Sequence, residues 1–119
     1  MTNPFLEATL LGACPELRTA WQEYRRTFVG GAGPDDRQLL DTVRRYVVQQ
    51  LAAGRAVEFS RVARTIERLF GEADPVLYAP LLDGLLLPLA RDVRAAGIAS
   101  SLIVPHLGAR TALAWPQGR

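Results

Sequence analysis

The sequence predicts an all-α protein of five to six helices, built as an irregular bundle or a short stack of antiparallel helical hairpins. Three observations predict it. Apolar residues recur at three- and four-residue intervals nearly throughout. Glycine and proline fall at the ends of those runs. No segment alternates with period two between turn signals, and the best strand candidate, Ile98 to Val104, is too isolated to build a sheet. The length, 119 residues, suits one domain spanning residues 1–119 with a frayed tail at 116–119.

Asn3-Pro4 reads as a cap and first-turn proline opening a short helix to Leu10 or Leu11. Pro15 opens a second, with Leu17, Trp21, Tyr24 and Phe28 on one stripe. Gly30-Gly31-Ala32-Gly33-Pro34 ends it as a flexible linker. Asp35 and Asp36 sit in the first turn of a third helix, where carboxylates meet the positive end of the dipole. Its buried face is Leu40, Val43, Val47 and Leu51, and Gly54 stops it.

Phe59, Val62, Ile66, Leu69 and Phe70 define a fourth helix closed by Gly71. Asp74-Pro75 opens a fifth, whose leucines cover more than one face and mark it as the central helix. Pro80 and Pro88 lie inside it and predict a kink or break. Gly97 ends that segment, and a last helix runs from about Ser101 to Ala114.

The chain has 14 arginines, no lysine, one histidine and one cysteine. Without lysine there is neither a Schiff-base amine nor a phosphate-loop lysine. One His106 and one Cys14 leave any metal site dependent on carboxylates, so neither a metal nor a cofactor is expected. Cys14 cannot form an intramolecular disulfide and reads as a buried, inert thiol; His106 reads as a capping or surface residue. No basic region precedes the N-terminal apolar stretch and no run approaches spanning length, so a cytoplasmic protein without membrane contact is expected. Net charge is +2, and beyond Asp92 only arginines remain charged.

The glycine-rich linker at 30–33 is no phosphate loop, because a helix precedes it and Asp35-Asp36 would repel a phosphate. Arg61, Arg64 and Arg68 form a row on the fourth helix, with Arg44 and Arg45 on the third. Such a row can bind phosphates or an acidic protein surface. Equally, Glu58, Glu67 and Asp41 stand at salt-bridge spacing and would make it a solvated, paired face. Asp83, set among leucines, would need an arginine partner if buried. Tyr46, Tyr78 and Trp115 are the aromatics least committed to a core stripe and the best candidates for contact with a partner.

Phe59-x-x-Val62-x-x-x-Ile66-Glu67-x-Leu69-Phe70, then Gly71-Glu72-Ala73-Asp74, then the leucine-rich helix, resembles a small bacterial family of helical domains of unknown function. That family has a Phe…Ile-Glu-x-Leu-Leu helix, a Gly/Asp turn and a helix ending in Phe-Leu-Glu-x-Leu. Pro15-Glu16-Leu17 and the stretch His106-Leu107-Gly108-Ala109-Arg110 echo further elements of it. The likeness covers most of the chain and consists mainly of packing positions. Asp83-Gly84-Leu85 departs from the family's Phe-Leu-Glu-x-Leu. Some such proteins sit beside secreted toxins and are proposed to be immunity proteins, so the resemblance implies a protein-binding role.

The expectation is therefore a non-enzymatic protein-binding module, an immunity or antitoxin-like inhibitor with a toxin as partner. The alternatives are a nucleic-acid-binding protein using Arg44, Arg45, Arg61, Arg64 and Arg68, and an enzyme or small-ligand carrier with a pocket along the leucine-rich helix. Homodimerisation is compatible with each.

Overall fold

A computed structural model describes residues 2–27 and 34–116. These residues contain seven α-helices and no strand. The expected linker at 30–33, Phe28 of the second stripe and the tail beyond Pro116 lie outside the described residues.

Helix α1 (Pro4–Leu11) starts where expected, with Asn3 Oδ1 accepting from the Phe5 and Leu6 amides at 3.0 and 3.2 Å. Helix α2 (Pro15–Arg26) has proline at its first position and buries Leu17 and Trp21. Helix α3 (Asp36–Ala52) carries a capping box: Asp35 accepts from the Gln38 amide and the Gln38 side chain accepts from the Asp35 amide. Asp35 is thus the cap itself, one position ahead of the first turn expected for it. Gly54, at φ 76°, closes the helix, because the left-handed conformation is strained for any residue with a Cβ.

Helix α4 (Ala56–Glu72) buries all five predicted apolar positions. Gly71 is inside the helix and not its stop; the chain leaves the helix at Ala73, in extended backbone just ahead of the Asp74 cap.

The leucine-rich segment does not break at its prolines: α5 (Pro75–Leu81) runs through a π-helical turn at Leu82–Leu86 into α6 (Leu87–Ala95). Pro88 has no amide to donate, and Leu87 reaches back five residues to the Leu82 carbonyl, so the wider turn keeps the rod helical where a proline would clash. Nor is the whole segment central. Leu81, Leu85, Leu86 and Leu89 are in the core, but most of α5 lies at the periphery, with only Leu81 of its seven residues buried. The centre is α3, which packs against α1, α2, α4, α6 and the π-turn. Gly84 brings the π-turn close to α3, since a methyl there would meet Leu40 Cδ1 at 3.0 Å.

The single terminal helix expected over 101–114 is instead two short 3-10 turns, Ser100–Leu102 and Val104–His106, followed by α7 (Ala109–Ala114). Pro105 withholds an amide, and Gly108 is extended at ψ −179°, so no α-helix passes through. Ile103 and Trp115 anchor the two ends of this segment in the core. Among the described residues, no helix is long and apolar enough to cross a membrane.

Candidate functional site

The five arginines singled out in the sequence do not form one row. Arg44 turns inward, its side chain 15% exposed, and bridges Asp41 at 2.7 Å and Asp92 of α6 at 2.8 Å. Arg45, its neighbour on α3, lies over the Tyr24 ring of α2 with 5.6 Å to the centroid and 3.6 Å to Asp41. The two therefore serve different helix contacts. On α4, Arg68 pairs with Glu72 at 2.9 Å. Arg61 and Arg64 are exposed and make no ion pair among the described residues.

Glu67, one of the acids expected to neutralise the α4 row, is in no ion pair with that row among the described residues. Glu67 reaches α7, where its carboxylate accepts from the Thr111 amide and hydroxyl at 2.9 and 3.0 Å and from the Arg110 amide at 3.2 Å. The Arg110 guanidinium adds a contact at 3.3 Å. Burial pushes this carboxyl up, but the bonds from Thr111 and Arg110 outweigh it and hold Glu67 below its ordinary value. Asp83 is exposed, so the arginine partner expected for a buried carboxylate is not needed.

Cys14 and Tyr46 form a buried pair, the thiol donating to the phenol oxygen at 3.1 Å. Burial first, then the neighbouring Cys14, pushes the Tyr46 hydroxyl well above its ordinary value. His106 packs edge-on against Phe59 with 5.6 Å between centroids. Tyr46 and Trp115 are core residues, which corrects their reading as candidates for contact with a partner. Tyr78 is the one of the three on the surface, its ring set edge-on against Phe70 at 5.3 Å.

An arrangement that the sequence reading missed lies where α1, α3 and α5 converge. A groove of about 350 Å³ opens there, floored by the buried Leu6, Leu40 and Leu81. Phe5, Leu77, Pro80 and Val76 form its apolar walls; Phe5 is 43% exposed and Val76 82%. Asp36, Glu72 and Asp74 stand around it, and no arginine lines it.

A sequence signal for this groove exists in Val76-Leu77-Tyr78-Ala79-Pro80. That run is apolar on every side of a helix too short to be covered all round. Asp74 and Asp36, by contrast, read individually as a cap and a first-turn residue, Glu72 lies at the end of α4, and only the packing of the helices assembles the three.

Neither protein-family models, curated proteins nor solved structures yield a match to this chain.

Proposed function

We propose that this protein is a non-enzymatic protein-binding module acting in the cytoplasm, of the immunity or antitoxin-like kind that its resemblance implies, with a toxin as partner. The observation that carries this reading is the apolar groove between α1 and α5, where Val76 and Phe5 remain open to solvent although a complete core lies directly beneath them. Exposed apolar walls around a concave floor are what a partner's side chains fill. The groups best suited to chemistry already have structural duties: Glu67 caps α7, Cys14 is covered by Tyr46 and His106 packs on Phe59.

A second reading, nucleic-acid binding, draws support from Arg61 and Arg64, which lie exposed on α4 and make no ion pair among the described residues. It ranks lower because Arg44, Arg45 and Arg68 are each held by a carboxylate.

The test is a tagged pull-down from native-host lysate, nuclease-treated and untreated, with bound proteins identified by mass spectrometry. One stoichiometric protein surviving nuclease supports the binding module and identifies its target. Partners lost with nuclease overturn it in favour of nucleic acid.

A further inference from the structure

We infer that the α1–α5 groove accepts a basic, apolar peptide segment of a partner protein: a large aliphatic or aromatic side chain in the groove, flanked by arginine or lysine at its rim. This inference rests on the protein-binding reading and specifies its site. Two properties of the groove select that occupant.

The first is shape and exposure. The volume of about 350 Å³ accommodates one or two large side chains, and Leu6, Leu40 and Leu81 make the floor apolar. Val76, 82% exposed, and Phe5, 43% exposed, gain the most by being covered.

The second is charge. The chain as a whole carries 14 arginines against 12 acids, yet this lining holds three carboxylates and no arginine. Each carboxylate is only half used. Asp36 Oδ1 accepts from the Asn3 amide at 2.7 Å, Asp74 Oδ1 from the Leu77 amide at 2.8 Å and Glu72 Oε1 from Arg68 at 2.9 Å. The second oxygen of each accepts no hydrogen bond among the described residues. A guanidinium or ammonium at the rim would find these oxygens ready, whereas an acidic segment would be repelled. Charge complementarity therefore separates a basic partner from an acidic one, and an apolar floor separates a peptide from a free cation.

The experiment selects a phage-displayed random peptide library on the wild-type protein. Enriched peptides are then measured by fluorescence polarisation against wild type, Val76→Arg, Glu72→Arg and the control Leu113→Arg. All three substituted positions are exposed, Leu113 lies outside the groove, and circular dichroism verifies the fold of each variant. The expected result is enrichment of peptides pairing arginine or lysine with a large apolar residue. Their binding should weaken about tenfold or more in Val76→Arg and Glu72→Arg, stay unchanged in Leu113→Arg and fall with added salt.

Enriched peptides without basic residues, equal binding to all variants, or no enrichment would each overturn the inference. A wild-type dimer in sedimentation that becomes monomeric in Val76→Arg would also overturn it, assigning the groove to a second copy. The two levels fail separately. A native partner retained equally by wild type and Val76→Arg removes the groove and leaves the binding module. Peptides behaving as expected with no native protein partner do the reverse.

Discussion

Glu67 on α4 caps α7 at the place where Gly108, the residue in the cap position, has no side chain to do so. The carboxylate occupies the space beside Gly108, where a methyl group would overlap it, and takes the Thr111 and Arg110 amides that α7 leaves unpaired. A six-residue helix without a side-chain cap of its own is thereby held to the body of the protein by a residue from another helix.

Gly108→Ala should destabilise the protein by about 1–2 kcal/mol, since the methyl displaces the carboxylate from the amides it caps. Glu67→Ala should cost a similar amount. Because the two changes break the same contact, the double variant should lose much less than the sum. Urea unfolding of the two singles and the double measures this; full additivity would show that Glu67 and Gly108 act independently.

The same contact makes stability depend on pH. Glu67 has a folded value depressed below its ordinary 4.5, so its contribution is fully present above the unfolded value and is lost as pH falls through the folded one. The stability advantage of wild type over Glu67→Gln should hold from neutral pH to about 5 and shrink below that. A difference that stays constant down to acid unfolding would contradict the assignment.

Arg44→Ala should destabilise by about 1–2 kcal/mol by leaving Asp41 and Asp92 without their shared guanidinium. The loss stays small because Asp41 is 44% exposed and Asp92 31%, so water screens both. Arg44→Lys should recover only part of the loss, since a compact ammonium replaces the planar fork whose Nη2 and Nη1 reach Asp41 and Asp92 separately. Thermal unfolding of the two variants at low and high salt separates these contributions.

Cys14 should react with a thiol reagent only as fast as the protein opens, because the Sγ is buried against Tyr46. At high pH, Tyr46 should stay protonated beyond the ordinary tyrosine value of 10.0, its ionisation disfavoured chiefly by burial and further by Cys14. A folded-state value raised in this way contributes stability below the unfolded value, and that contribution is lost as pH rises through the folded one. Ultraviolet titration should show one of the three tyrosines ionising only as the protein unfolds in alkali, and Tyr46→Phe should abolish that late step.

Gly84→Leu should destabilise by about 1–3 kcal/mol, because the π-turn lies against Leu40 and a side chain there pushes α3 away. Gly84→Ala should cost less, the neighbouring atom being the tip of a flexible leucine. Equal losses for both would mean that backbone freedom, not packing, determines the glycine.

What the sequence by itself determined are the features made by residues three or four apart. Asn3-Pro4, Asp74-Pro75 and the glycines at 54 and 97 set helix ends through bonds and backbone conformations within one turn, and their patterns are visible without a fold. The apolar stripes of α3 and α4 were legible for the same reason. The tertiary structure alone decided where the side chains went once helices met. It buried Tyr46 and Trp115, left Asp83 exposed, divided Arg44 from Arg45, carried Glu67 to Gly108 and placed three carboxylates from separate helix ends around one apolar groove. Those outcomes depend on contacts between residues far apart in the chain, and a local periodicity holds no record of which helix a given face will meet.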